Sequence, residues 1–242
     1  MLLLGENMEL KREHWDKKDF EELRTFEESI KGDDNNCEWE KRIVNTALPC
    51  MARTSSKARQ YYREIKKGNY IEFLDNIEIK THFESLVCAY LICSIKDFDT
   101  FEKYLNKYVI TIDNWASADT LKFAKKDYSK LYNLSQKYLT SEMPYVRRVG
   151  VDIYFELIKD DNYIDKAFAL LDNLKDEKEY YVNMCGAWLL SFCMVRNPEK
   201  TLTYFKDHHT NKFIINKAIS KCHDSYRIDN STKELLKQYR IK

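Results

Sequence analysis

Apolar residues recur at spacings of three and four residues along nearly the whole chain, a period typical of α-helices with one buried face. Only the segment YVITI at 108–112 resembles a strand, and we interpret it as the end of a helix. A first long helix is predicted from about residue 11 to 31, closed by the turn-forming cluster GDDNN at 32–36. The pattern therefore predicts an all-α protein.

From about residue 81 onward the predicted helices follow a regular rhythm. They begin near residues 81, 114, 143, 179 and 211, and further helices are predicted between them at 98–108, 128–139, 164–174 and 201–206. The spacing of 29 to 36 residues between the starts is the length of a helix-turn-helix repeat.

Three of the repeats resemble one another directly: YVRRVGV at 145–151, YVNMCGA at 181–187 and FIINKAI at 213–219. Their small residues Gly150, Gly186 and Ala218 fall at one register, where a neighbouring helix can approach closely. This pattern predicts a HEAT-like repeat α-solenoid of antiparallel helix pairs, whose inner helices line a concave groove suited to an extended partner.

We expect a single repeat domain over residues 1–242, in which residues 1–80 form less regular capping helices and residues 81–242 form the regular pairs. The 242 residues include only five glycines and three prolines, well below average usage, which favours helices over glycine-rich turns. A hydrophobic content of 44% is sufficient for a substantial core.

The formal net charge of +1 excludes a strongly basic domain, so any nucleic-acid surface must be a local patch. The seven cysteines lack the paired spacing of a zinc site, so we expect no metal and mostly buried, reduced thiols. The apolar start MLLLG is too short for a signal peptide, and no segment approaches the 18 or more apolar residues of a membrane span. We therefore expect a cytoplasmic protein without a membrane partner.

Common catalytic signatures are missing from the chain, including the phosphate-binding glycine loops, the zinc peptidase HExxH and the serine hydrolase GxSxG. What remains is a set of unusual residues on the predicted inner helices. Trp115 and Asp119 are four residues apart and so lie on one helix face, where a ring face and a carboxylate together suit a cationic centre. The alternative is a half-buried Trp beside a solvated Asp.

Arg148 falls off the apolar stripe of its helix, so its guanidinium is expected to reach a ligand such as phosphate. A salt bridge to an acidic neighbour is the alternative. Trp188 stands beside small residues that leave room over its ring, with a place in the core as its alternative.

Basic residues gather in two groups that can hold a DNA backbone if they flank one groove, although such groups are more often a solvated face. His208, His209 and His223 have no companion at metal spacing and are predicted to lie on the surface. The two basic groups are Arg53, Lys57, Arg59, Arg63, Lys66 and Lys67, and then Lys212, Lys217, Lys221 and Arg227.

Several of these segments together resemble the DNA alkylation repair family, the HEAT-like alkylpurine DNA glycosylases. The matching stretches are IDNWASAD at 112–119, YVRR at 145–148, GAWLL at 186–190 with NP at 197–198, NKAI at 216–219 and DSYR at 224–227. They occur in the order of the family and cover about residues 45 to 240.

The resemblance implies hydrolysis of the N-glycosidic bond of a cationic N3- or N7-alkylpurine in duplex DNA, without extrusion of the base and without a cofactor. It implies that Asp119 is the catalytic carboxylate, that Trp115 and Trp188 are aromatic walls against the sugar, and that Arg148 contacts the DNA backbone. For the remaining backbone contacts the candidates are Arg147, Arg59, Lys217, Lys221 and Arg227. We expect a monomer.

The chain departs from the family pattern at Ser191, which stands where active relatives are expected to carry a basic residue. Two other functions therefore stay open. One is a non-catalytic protein that binds DNA structures in the same groove, and the other is a protein–protein scaffold, the commonest use of solenoids.

Overall fold

Every element of the computed structural model, which describes residues 9–53 and 55–242, is helical, and no strand occurs in that part of the chain. The strand-like segment 108–112 contains the end of a helix, at Val109, followed by a turn, and no strand forms there. The helices are α1 (Lys17–Ser29), α2 (Asp34–Val44), α3 (Ser55–Ile65), α4 (Tyr70–Asn76), α5 (His82–Ser94), α6 (Phe98–Val109), α7 (Trp115–Thr120), α8 (Tyr128–Leu139), α9 (Pro144–Leu157), α10 (Ile164–Asn173), α11 (Tyr180–Arg196), α12 (Pro198–Asp207), α13 (Lys212–Asp224) and α14 (Asn230–Leu236), with short 3-10 turns at Asp161–Tyr163 and Lys237–Tyr239.

Side-chain caps explain why most helices begin where the sequence predicts. The side chains of Thr81, Asn114 and Asn211 accept hydrogen bonds from the first turns of α5, α7 and α13. Proline starts α9 at its first position, where no backbone N–H is needed. The five predicted starts each lie one residue before the first helical residue, and they are confirmed.

The N-terminal boundary differs from the prediction. Helix α1 spans Lys17–Ser29 and is shorter than the predicted 11–31, because the capping box of Asp16 and Asp19 starts it later. Within the cluster GDDNN, Asp33 caps α2, so that residues 34–36 form its first turn. Turn-forming residues can therefore begin a helix as well as form a loop, and here they begin α2.

The described residues form two compact units, one ending at Leu121 and the other running from Lys122 to Lys242. In the first unit, α3, α4, α6 and α7 all pack on α5. Helix α5 is predominantly apolar, and most of its side chains are buried, as expected of a central helix. It is the platform on which α7 lies. The prediction of one repeat domain that becomes regular at residue 81 stays a prediction, and the segment MLLLG lies outside the described residues.

In the second unit, α9, α11 and α13 pack against one another in succession. Helix α8 packs on α9, α10 and α12 pack on α11, and α14 packs on α13. The helices predicted to be inner ones are therefore the ones that form consecutive contacts.

Glycines allow the close packing that the repeat register predicts. A β-carbon at Gly186 would lie 3.2 Å from Ile214 of α13 and 3.2 Å from Leu174 at the end of α10. At Gly150 it would lie 3.0 Å from the side chain of Leu139, which ends α8. Ala218, at the third equivalent position, is fully buried. The small residues thus lie where neighbouring helices approach closely.

Six of the seven cysteines are buried, Cys93 is half-buried, and all seven are free thiols, as the scattered spacing predicts. None of the helices in the described ranges is long and apolar enough to cross a membrane.

Candidate functional site

Trp115 and Asp119 lie on the short helix α7, four residues apart and therefore on one face of it. Both side chains are half-buried. The N-cap Asn114 is fully buried, and its side-chain oxygen accepts the N–H of Ser117 at 2.8 Å. Helix α7 therefore presents an indole and a carboxylate on the same face. The buried cap Asn114 fixes the position of its first turn.

The indole of Trp115 is oriented by the end of α2. Its Nε1 donates to the carbonyl oxygen of Ile43 at 3.1 Å. The helix stops immediately afterwards, because Asn45 adopts a left-handed conformation with φ 60°. A satisfied indole N–H in a half-exposed ring fixes the plane of the ring while leaving part of its surface accessible.

A carboxylate at the base of α7 joins this helix to the segment after α2. Asp113 accepts hydrogen bonds from Thr46 Oγ1 at 2.7 Å, from the Ala47 N–H at 2.6 Å and from Asn114 Nδ2 at 2.8 Å. Burial opposes its ionisation, but these hydrogen bonds outweigh burial and lower the pKa of Asp113. Asp113 is a positioning group for α7.

Buried hydroxyls attach α7 to α5 and α6. Ser117 Oγ lies 3.0 Å from Ser85 Oγ, which in turn lies 2.9 Å from the hydroxyl of Tyr108. His82 Nδ1 is 3.4 Å from Ser117 Oγ, and burial lowers the pKa of His82 to about 4, so its ring is neutral at neutral pH. Helical periodicity gave no indication of this hydrogen-bond network. The sequence signal that could have indicated it is the polar Ser85 within the largely apolar α5.

Trp188, in the second unit, is an exposed residue and not a core residue. Its side chain is 36% exposed and contacts Phe155 and Phe192 edge-on, at ring-centroid distances of 5.2 and 5.9 Å. Lys221 Nζ lies over the Trp188 ring at 5.5 Å, and the guanidinium of Arg227 lies over Phe192 at 4.8 Å. Three predicted site residues, Trp188, Lys221 and Arg227, therefore lie together.

These residues line a shallow cavity of about 280 Å³. Ser191, the departure from the family pattern, is one of the lining residues, and its hydroxyl donates to the carbonyl of Trp188 at 2.7 Å. The charged residues of the lining are Lys221, Arg227 and Asp224, and Ser191 adds no charge to them. The full lining is Trp188, Ser191, Phe192, Val195, Lys221, Asp224, Ser225 and Arg227.

Lys217 and Arg59, two other predicted backbone contacts, are exposed. Lys217 lies on α13 with its Nζ over the ring of Phe213 at 5.9 Å. Arg59 lies on α3, where its Nε donates to the hydroxyl of Tyr90 at 3.1 Å. Both cations rest on aromatic rings and present charge at the surface.

Arg147 is committed to an ion pair. Its Nε and Nη2 donate to the two carboxylate oxygens of Glu177 at 2.8 and 3.1 Å. Its Nη1 donates to the carbonyls of Ser141 and Glu142, both at 2.9 Å. The fork geometry of arginine is used within the protein, which makes Arg147 a structural link between the loop before α9 and the loop before α11.

The expectation that the guanidinium of Arg148 is free is wrong. Arg148 is only 3% exposed, donates to the carbonyl oxygen of Tyr181, and places its Nε 3.9 Å from Asp152 Oδ2. The alternative, a salt bridge to an acidic neighbour, is the arrangement present. The periodicity identified one buried face of α9, whereas this helix packs against α8 and α11 and is buried on two sides.

A buried carboxyl in the first unit gives this unit a pH-dependent stability. Glu27 of α1 is 3% exposed, and burial, reinforced by Glu84 of α5 and opposed by Arg24, raises its pKa to about 8. It also faces Tyr61 of α3. Because the folded state keeps the proton that the unfolded chain loses near pH 4.5, stability should fall as pH rises from about 5 to 9, by an amount on the order of 3 kcal/mol.

Glu27→Gln should abolish most of this fall and make the protein more stable than the unchanged chain at pH 9, as measured by urea unfolding across that pH range. Glu28→Gln, at the exposed neighbouring position, is the matched control and should keep the fall. Parallel pH profiles for the Glu27→Gln variant and the unchanged protein would show that Glu27 is not the group that titrates.

Across residues 9–53 and 55–242, no three histidine, cysteine or carboxylate side chains are grouped so that they could hold a metal ion. The predicted site residues fall into one set on each unit: Trp115 and Asp119 with Arg59 in the first, and Trp188 with the basic residues of α13 in the second. A common site for the two sets stays a prediction.

Comparison with known proteins gives one match. No curated protein and no solved structure matches the chain. The sequence model of a family described as DNA alkylation repair enzyme matches residues 31–222, which is most of the chain and includes α7, α9, α11 and nearly all of α13. This protein therefore belongs to the DNA alkylation repair enzyme family.

Proposed function

We propose that this protein is an alkylpurine DNA glycosylase, which hydrolyses the N-glycosidic bond of cationic N3- or N7-alkylpurines in duplex DNA without extruding the base. The observation that carries this function is the pair of Trp115 and Asp119 on α7, half-exposed and held by the hydrogen bonds beneath it. Membership of a DNA repair family supplies the substrate, DNA.

The chemistry needs one carboxylate. When the bond between the sugar C1′ and the purine breaks, its electron pair goes to the base and neutralises the charge of the alkylpurine, while positive charge develops on the sugar. Asp119 and the ring face of Trp115 stabilise that charge as it forms. Water then bonds to C1′ and gives up a proton, which Asp119 accepts or passes to solvent. Because the leaving base is already cationic, no general acid is required.

We also propose that Trp188 packs against the DNA as an aromatic wall, and that the cations Arg59, Lys217, Lys221 and Arg227 contact phosphates. Such contacts position the duplex without reading its sequence. We reassign Arg147 and Arg148, because their guanidinium groups are engaged within the protein. Their proposed role is to hold α9 against α11, the helix that carries Trp188.

The supporting fold is proposed to be a HEAT-like array. In the second unit, α9, α11 and α13, which pack on one another in succession, are proposed to be the inner helices, and α8, α10 and α12 the outer ones. We further propose that the protein acts as a monomer in the cytoplasm and uses no cofactor.

The direct test is incubation of the purified protein with duplex DNA that has been methylated chemically, followed by chromatography of the released bases. We expect free 3-methyladenine or 7-methylguanine, with abasic sites left in the DNA and no release of unmodified bases. DNA that is bound yet keeps all its methylated bases would exclude the glycosylase.

A second function, binding of DNA structures without catalysis, is favoured by two observations. Ser191 contributes no charge to the cavity beside Trp188, and the whole chain carries only +1. Tight binding to branched or bulged DNA with no base release would establish this function instead.

A further inference from the structure

Seven aromatic side chains of α9, α11 and α13 in the second unit form two clusters, and within each cluster neighbouring rings contact one another. In one cluster, ring centroids are 5.7, 5.1 and 5.6 Å apart along the series Tyr145, Tyr181, Tyr180 and Phe213. In the other, Phe155, Trp188 and Phe192 contact one another at 5.0 to 5.9 Å. We call these seven residues the aromatic strip. Only Trp188 among them has a role in the proposed glycosylase.

The aromatic strip is accessible. Tyr180 is 52% exposed and Trp188 is 36% exposed, whereas large aromatic side chains of a core, such as Phe205, are almost completely buried. Tyr145, Tyr181 and Phe213 are half-buried. A cluster of rings that keeps this much surface in contact with solvent is typical of a binding surface.

Three cations cover rings of the strip. Lys217 lies over Phe213 at 5.9 Å, Lys221 over Trp188 at 5.5 Å, and Arg227 over Phe192 at 4.8 Å. Each exposed cation–π contact is worth only about 0.5–1 kcal/mol, so a phosphate can draw the cation away from the ring. Aromatic rings interleaved with mobile cations are the two components of surfaces that bind unpaired nucleotides.

The spacing along α11 fits separated bases. Tyr181, Trp188 and Phe192 lie within about 20° of one line along the helix, at about 100° per residue. Trp188 and Phe192 contact each other nearly at right angles, with ring centroids 5.9 Å apart. Rings at right angles cannot both stack on the parallel bases of an intact duplex, whereas each can stack on a separate unpaired base.

Electrostatics points in the same direction. Affinity for an intact duplex comes largely from neutralised phosphates, and two of the predicted contacts, Arg147 and Arg148, are used inside the protein. The chain has a net charge of only +1. Stacking on the exposed rings therefore adds to the attraction that Lys217, Lys221 and Arg227 offer to phosphates.

We propose that the aromatic strip binds unpaired nucleotides, so that the DNA this protein prefers contains a single-stranded stretch, a gap or a bulge. The bases stack on the rings, while Lys217, Lys221 and Arg227 move from the rings to the phosphates. This inference rests on the proposed DNA-binding function, but it concerns the form of the DNA and requires no base release.

The test compares the affinity of the protein for a short single strand, the intact duplex and a duplex with a gap of a few nucleotides, all without alkylation, by fluorescence anisotropy. We expect the single strand and the gapped duplex to bind at least about tenfold more tightly than the duplex. Tyr180→Ala and Phe192→Ala should each weaken binding of the single strand by roughly fivefold or more and leave duplex binding nearly unchanged.

Trp39→Ala is the matched control, because Trp39 is 57% exposed but lies on α2 of the first unit, and it should bind every DNA form as the unchanged protein does. Equal or tighter binding of the intact duplex would overturn the inference, as would variants that keep full affinity for the single strand. Binding of no DNA form would also overturn it and would indicate a protein partner for the strip.

Base release is measured separately on methylated duplex, so the two proposals can fail independently. A protein that releases bases from intact duplex and shows no preference for unpaired DNA loses this inference and keeps the glycosylase. A protein that prefers unpaired DNA and releases no bases keeps this inference and loses the glycosylase.

Discussion

Asp119→Asn should release alkylated purines at least about 100-fold more slowly than the unchanged protein, with its affinity for DNA retained. Asparagine has nearly the same shape as aspartate but no charge, so the variant loses the stabilisation of the developing sugar cation. A 100-fold effect corresponds to about 2.7 kcal/mol of transition-state stabilisation, which is typical for removal of one well-placed electrostatic group. Single-turnover release of 7-methylguanine is the appropriate measurement.

Asp99→Asn is the control for this variant, because Asp99 is an exposed aspartate of α6 in the same unit. Its release rate should equal that of the unchanged protein. If Asp119→Asn also retains the full rate, then Asp119 is not the catalytic carboxylate, and helix α7 has only a structural role.

Asp152→Ala should reduce the free energy of unfolding by about 3–5 kcal/mol. The guanidinium of Arg148 is 3% exposed and cannot return to water without separating α9 from α11, so removal of the carboxylate leaves a buried charge with too little compensation. The same change removes the acceptor of Cys185, whose Sγ lies 2.9 Å from Asp152 Oδ1. Urea unfolding at neutral pH measures the loss.

The double variant Arg148→Met with Asp152→Leu tests whether the stability lost in Asp152→Ala comes from an unpaired buried charge or from lost packing. Two apolar side chains of similar size remove both charges at once, so we expect the double variant to be more stable than Asp152→Ala alone. A loss of less than about 1 kcal/mol in Asp152→Ala would contradict the description of Arg148 as a buried, paired cation.

The sequence was sufficient to predict most of the helices, because two local signals coincide. Capping residues such as Thr81, Asn114 and Asn211 immediately precede apolar runs of helical period, and both signals depend only on near neighbours. The similarity of the segments around Gly150 and Gly186 also predicted which helices follow one another as inner helices. The same locality allowed Trp115 and Asp119 to be placed on one helix face.

Interactions between distant residues could not be predicted in this way. Thr46 and Asp113, whose hydrogen bond fixes the base of α7, are 67 residues apart. Arg148 was expected to be free because a helical pattern identifies one buried face and gives no information about a second neighbour. Cation–π pairs such as Lys221 with Trp188 also join different helices and leave no periodic signal.

The central claim is that a single carboxylate suffices because the leaving base carries its own positive charge. Two otherwise identical duplexes test it, one with a single cationic 7-methylguanine and the other with a single neutral hypoxanthine, each followed under single-turnover conditions. We predict release of 7-methylguanine at least about 100-fold faster than release of hypoxanthine. Comparable rates for the two bases would contradict the account, because the neutral base leaves quickly only when a general acid protonates it.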